Sequence, residues 1–186
     1  MNITIKQMIL QDSILKTKTK FLIFVLFQLI IINKYVIASE KWVVDQKISE
    51  ISFEVPVFFA TNVKGFFNEF DGLVQIDSNE KLNNKAIFSV SIDSINMNYN
   101  KYRALLLGPI FFHSQKYPLG VLDTKNFSYK NKEKINIDIE LLIKGKTKKI
   151  PLELDIKNLT DNLVQVKGNL VFLRSDFDIG IGKWKN

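Results

Sequence analysis

The chain has 186 residues, 46% of them hydrophobic and 24% charged, with 26 Lys and Arg against 19 Asp and Glu and no cysteine. That length allows one domain with a sizeable core and a short appendage. The lack of thiols excludes disulfide cross-links, cysteine nucleophiles, haem attachment through Cys and zinc ribbons, so burial and strand pairing alone must hold the fold.

The appendage is at the front. Lys16, Lys18 and Lys20 precede the apolar run Phe21–Ile32, which has the shape of a secretory signal peptide. A helix of that length covers about 18 Å, short of the roughly 30 Å hydrocarbon layer. Val36-Ile37-Ala38 supplies the cleavage positions. Residues 1–38 are therefore expected to be a signal peptide, with the mature domain, 39–186, beginning near Ser39 and residing in the periplasm. Met8 is an alternative start, and the other reading of the segment is an uncleaved inner-membrane anchor with Asn33 and Lys34 at the interface. Removing residues 1–38 leaves 21 basic against 18 acidic residues, a net charge of +3. That excess is too small to argue for nucleic acid.

Trp42-Val43-Val44-Asp45 opens the domain, and Ile51–Val55 alternates before Pro56 stops it. Val63–Phe67 and Gly72–Asp77 read as a pair of strands with Asn68–Asp71 as the turn between them. Gly65 and Gly72 are expected where a strand bends or a turn needs positive φ. After the polar loop Ser78–Asn84, Ala86, Phe88, Val90 and Ile92 alternate with Lys85, Ser89, Ser91 and Asp93. Met97–Leu107 breaks the pattern as a short helix ended by Gly108-Pro109, with Tyr102, Leu105 and Leu106 facing inward. Leu119–Tyr129 is a weaker strand.

Ile135–Leu141 and Ile150–Ile156 then alternate apolar and polar residues around the short loop Lys144-Gly145-Lys146-Thr147, which predicts an antiparallel hairpin. In Leu163–Leu173, Val164, Val166, Gly168, Leu170 and Phe172 share one face. Gly168 leaves room there for an aromatic ring or a ligand chain, or else marks a bulge or tight sheet packing. The fold class is all-β, an antiparallel β-barrel of about eight strands with one short helical insert. Outer-membrane barrels also alternate, but the strands here are short and irregular and end without a terminal aromatic strand.

Chemistry is scarce. His113, the only histidine, sits beside a turn and reads as a surface or capping residue. Asp138, Glu140, Glu153 and Asp155 alternate on the outer face of the hairpin opposite lysines, a solvated surface and not an acid–base pair. No ligand cluster of metal-binding type is visible, so no catalytic and no metal residue is assigned. What remains is the inward face: Phe53, Val55, Phe88, Val90, Ile137, Ile139, Leu152, Leu154, Val166, Leu170 and Phe172. An eight-stranded barrel holds one slender ligand when its own side chains do not fill it. A filled core and a ligand cavity explain these residues equally well.

The order of features resembles the YceI-like family of lipocalin-like, polyisoprenoid-binding exported barrels. The matching residues are Trp42-Val43-Val44-Asp45, Ser52–Val55, Gly65-Phe66-Phe67, Phe70-Asp71-Gly72, Ile76-Asp77, Arg103, Leu107, Phe111-Phe112, Tyr117-Pro118, Lys144–Lys148 and Arg174–Gly180. No single motif is specific; their shared order is. The resemblance implies a non-catalytic carrier without a cofactor, its ligand an isoprenoid or quinone-like lipid on the inward face. Arg103 and Arg174 become candidates for a polar head group, since guanidinium suits phosphate or carboxylate; Arg174 has Asp176 and Asp178 as alternative partners. Many relatives follow the helix arginine with an acidic residue and a histidine, where this chain has Ala104-Leu105-Leu106, so no polar or metal role carries over there. The closing C-terminal strand of the family is expected to be missing after Trp184-Lys185-Asn186. The rival reading is an interaction module that forms a dimer or takes a partner strand at the resulting seam.

Overall fold

A computed structural model describes residues 39–55, 63–77, 82–97, 100–129 and 133–184. The expected leader, Pro56 and the start of the loop at 78 lie outside them. The first six strands are β1 (Glu40–Val43), β2 (Ile51–Val55), β3 (Val63–Phe67), β4 (Phe70–Ile76), β5 (Lys85–Ser91) and β6 (Ile95–Asn96). Helix α1 (Asn100–Leu107) separates them from β7 (Leu119–Asp123), β8 (Lys134–Ile143), β9 (Lys146–Thr160) and β10 (Leu163–Gly168). Short 3-10 turns cover Ile92–Ser94, Arg174–Phe177 and Gly182–Trp184.

Seven strands form one curled antiparallel sheet in the order β1-β4-β5-β7-β8-β9-β10, and β2-β3-β6 form a smaller one. Among the described residues the fold is all-β with one helix, and the large sheet curls into a half-barrel, in the class that the alternation predicts. β1 and β10 are the two edges of the large sheet; among the described residues no ladder joins them.

The two sheets are continuous through corners. Asn68-Glu69 is not a hairpin turn, contrary to expectation, because β3 and β4 belong to different sheets and do not pair. It is instead the point where one long strand passes between sheets. The next strand bends beside it at Ile92–Ser94, and the bends are tied by Ser91 N–H to Glu69 O at 2.9 Å and Asn68 N–H to Ser94 O at 3.1 Å. Neither Gly65 nor Gly72 has positive φ. Both are glycine because something lies on them. A Cβ at Gly65 would stand 2.5 Å from Phe53 Cζ and 2.8 Å from the Asn96 carbonyl, and one at Gly72 would stand 2.3 Å from Phe88 Cδ1.

The β8–β9 hairpin has a two-residue turn, Lys144-Gly145, narrower than expected, with both residues at positive φ (50° and 74°). Such a turn matches the strand twist and sets the register Ile143↔Lys146 through Lys134↔Asp155. It also explains Pro151. The pair at the turn is hydrogen-bonded and pairs alternate, so Asp138↔Pro151 is a non-hydrogen-bonded pair. The absent N–H therefore faces away from β8, beyond the end of β10 at Gly168↔Leu154, where proline is tolerated. The strand expected over Leu163–Leu173 stops at Gly168. From there the chain leaves the sheet edge and turns onto the inner face.

Gly65→Ala should destabilise the fold by about 1–3 kcal/mol, because the Asn96 carbonyl is backbone and cannot swing aside. Urea unfolding should show a lower midpoint at unchanged slope; an unchanged midpoint would refute this account of the corner.

Candidate functional site

Period-two alternation puts Ile135, Ile137, Ile139, Leu141 and Ile143 of β8 on the inner face, and all five are buried. Ile150 and Leu152 of β9 join them, with Phe111 from the loop after α1 and with Phe177 and Ile179 from the C-terminal segment. Leu105 and Leu106 pack on this cluster from α1, as expected; Tyr102 is exposed. A second cluster of Ile92, Ile95 and Met97 collects Phe53, Val90 and Phe67, with the Phe53 and Phe67 rings 5.7 Å apart.

Burial falls off across the inner face toward the β10 edge. Ile139 is 1% exposed, Leu154 and Ile156 are half-buried, and Val166, opposite Ile156 in the ladder, is 49% exposed. Phe88 and Leu170 are also half-buried, and Phe172 stands at the margin with its ring edge-on to Phe177 at 5.2 Å. The structure thus divides the apolar residues singled out from the sequence. Ile137, Ile139 and Leu152 form a closed floor. Phe53, Phe88, Val90, Leu154 and Leu170 are partly covered, and Val166 and Phe172 are exposed. The side chain of Val55 lies outside the described ones. The close neighbour of Gly168 is Leu154, whose Cδ2 lies 2.6 Å from where a Cβ would stand.

The two arginines face different tasks. Arg103 Nε donates to Ile95 O at 2.7 Å and Nη2 to Asp93 O at 2.5 Å, fastening α1 to the corner. Arg174, half-buried, lays its guanidinium over Gly180, where a Cβ would meet Nη1 at 2.1 Å. Acids on the outer face pair with lysines, Lys149 with Asp138 at 2.9 Å and Lys134 with Asp155 at 3.2 Å. His113 is a turn residue at positive φ whose carbonyl accepts from Lys116 and Tyr117 N–H. Among the described residues no group of three metal-ligating side chains occurs.

A polar clamp absent from the sequence reading seats the C-terminal segment. Lys144 Nζ donates to the carbonyls of Asp178 at 2.7 Å and Ile110 at 3.2 Å, and Lys146 Nζ meets the Asp178 carboxylate at 2.5 Å. The Lys146 hydrogen bond, with the fields of Lys146, Lys144 and Lys148, holds the Asp178 carboxyl below its ordinary range. Alternate lysines on β9 hint at a basic row, but nothing local in sequence ties them to a carboxylate some thirty residues on. Beside this segment an open pocket of about 240 Å³ lies against the uncovered edge of β9, lined by Lys149, Ile150, Pro151, Val171, Phe172, Leu173 and Asp176.

The profile of the YceI-like domain matches residues 42–186. The chain belongs to this family. Among solved structures it is similar to BcnA of Burkholderia cenocepacia, with TM-score 0.69 and 23% identity over 77% of this chain and 89% of that one. The Campylobacter jejuni YCEI protein gives TM-score 0.55 and 23% identity over 76% and 85% of the two chains. A polyisoprenoid binding domain from Saccharophagus degradans, implicated in plant cell wall breakdown, gives TM-score 0.50 and 12% identity over 77% and 79%. At such identities these likenesses show the fold alone. No curated protein matches the chain in sequence. The YceI-like fold accounts for the inward apolar face and leaves its uncovered margin as the candidate site.

A carboxyl whose pKa is depressed in the folded state adds stability above its unfolded pKa and loses it as pH falls through the folded value. Asp178→Asn should therefore lower the melting temperature near about pH 7, and the difference should vanish in acid below the usual carboxylate range. Asparagine keeps the left-handed φ of 50° at this position, so the comparison isolates charge. A difference independent of pH would show that the clamp does not act through the carboxylate.

Proposed function

We propose that the protein is an exported, non-catalytic binding protein that holds one long apolar chain, isoprenoid or quinone-like, against the inner face of its sheet. The observation that carries this reading is the fall in burial from Ile139 to Val166 along one continuous aliphatic face. Half-covered side chains such as Phe88, Leu154, Ile156 and Leu170 gain from a further apolar cover, at about 0.8 kcal/mol per buried methylene. A chain of several isoprene units needs no polar anchor to bind there. The name of the polyisoprenoid binding domain among the similar folds supports the same ligand class. Export rests on the basic and apolar residues 16–38, and both the periplasmic and the inner-membrane-anchored form present the domain to the same compartment.

A second reading, strand addition at the β10 edge, is favoured by the edge position of β10 and by the pocket along β9. It makes oligomeric state depend on concentration or partner, while the carrier reading does not.

Native mass spectrometry with lipid extraction, on protein purified from an exported fraction, should show an apolar adduct of one mass. Leu154→Trp should fill the half-covered face and reduce the adduct severalfold with the fold retained by circular dichroism. A clean apo mass that takes up no added isoprenoid would sink the carrier reading.

A further inference from the structure

We infer that the end of the barrel formed by the β8–β9 turn, the loop after α1 and the C-terminal segment docks on the surface of an anionic lipid bilayer. Charge and apolar exposure coincide there. Lys144 and Lys146 contact Asp178, and Lys148 acts on the same carboxylate. Lys116 Nζ stands 5.2 Å from the centre of the Tyr117 ring, and that ring covers Gly145 in the turn. Four ammonium groups thus gather at one end, three of them around the Asp178 carboxylate. On the outer face acids match lysines more closely, since Lys134 and Lys149 of the hairpin and Lys125 after β7 each have acids within salt-bridge distance.

Apolar side chains are exposed at the same end. Ile110, whose carbonyl holds both Lys144 Nζ and Gly180 N–H, is 38% exposed. Ile181, next to Gly180, is 49% exposed, and Trp184, edge-on to Phe111 at 5.8 Å, is 37% exposed. Tryptophan and isoleucine beside flexible lysines suit the boundary between head groups and acyl chains, where the rings and stems enter and the ammonium groups stay in the phosphate layer. Free phosphate would use the lysines and leave the isoleucines in water. A nucleic acid single strand would want a series of stacking rings. The docking stands whether or not the interior holds a lipid, so it fails or survives separately from the carrier reading.

The chain has two tryptophans, and Trp42→Phe leaves Trp184 as the reporter. In that background, with the protein as isolated from expressing cells, Trp184 emission should shift to the blue and be quenched by brominated acyl chains in phosphatidylglycerol-containing vesicles. Pure phosphatidylcholine vesicles should have little effect. Each lysine near an anionic surface contributes about 1 kcal/mol, so Lys116→Gln with Lys148→Gln should weaken partition roughly 30-fold. Neither substitution touches the Lys144 and Lys146 bonds that seat the C-terminal segment. High salt should act in the same direction, and inorganic phosphate at equal ionic strength should do no more than salt. Equal quenching by neutral vesicles, or indifference to the two glutamines, overturns the proposal. So does specific displacement by phosphate, which would make the site an anion pocket. A Trp184 shift that follows protein concentration without vesicles overturns it in favour of a second copy of the chain.

Discussion

Excluding water from the aliphatic face of β8 and β9 is the constraint on which the rest of this structure depends. Five alternate residues of β8, from Ile135 to Ile143, are buried, and each such side chain contributes about 1.5–3 kcal/mol when removed from water. A lone hairpin is at best marginally stable, so these strands hold together only because other segments cover them. Phe111 comes from the loop after α1, and Phe177 and Ile179 come from beyond the last strand. The covering segment cannot pair as a strand while it caps the face. That requirement explains the end of β10 at Gly168, the left-handed Asp178 and Gly180, and the lysines that hold Asp178 in place. The polar clamp is on the surface and adds little by itself; its effect is to fix where Phe177 enters.

The corners solve a different problem. A strand that passes from one sheet to another must keep its backbone groups bonded while its direction changes. The reciprocal bonds between Glu69 and Ser91 and between Asn68 and Ser94 do this for two neighbouring strands at once. Ser94 Oγ adds a bond to Ser91 O at 2.7 Å, and Arg103 takes up the carbonyls of Asp93 and Ile95. The corner is thus closed by a helix residue some ten positions further along the chain. At the other edge of β5, Thr124 extends the ladder past the end of β7, giving its hydroxyl to Ala86 O and accepting from Ala86 N–H.

Much of this was legible because the period of two survives wherever one face is buried. The β8–β9 hairpin and its faces, the outward acids and lysines, the helix ended by Gly108 and the class of fold all follow from local pattern, although the turn is two residues and not four. What local pattern misread shares one cause: a residue acting on something distant. Gly65 and Gly72 look like turn residues but are sites where rings of Phe53 and Phe88 lie on the backbone. Asn68–Asp71 has turn-forming residues, yet the strands on either side belong to different sheets. Val164 to Phe172 keeps its alternation after the strand has ended, because Leu170 and Phe172 still meet the core although their backbone is no longer paired. For the candidate site, alternation marks which face a residue occupies. It does not reveal how deeply a residue is covered, and that depth separates Ile139 from Val166.

The same depth decides what kind of discrimination such a face can exert. Apolar contact separates ligands differing by a methylene by only about 1–3 kcal/mol, and it rejects a polar variant strongly only when a polar partner is left unsatisfied. The half-covered residues here are aliphatic and aromatic. Arg103 of α1 has Nε and Nη2 engaged by backbone carbonyls. A chain held along Phe88, Leu154 and Ile156, as proposed, would therefore be chosen by cross-section and length and not by its head group. The charged groups beside the C-terminal segment are themselves engaged in the fold, with Arg174 packed over Gly180 and the lysines of the β8–β9 turn gathered around Asp178. On the proposed reading such a face is permissive toward head groups and selective for shape.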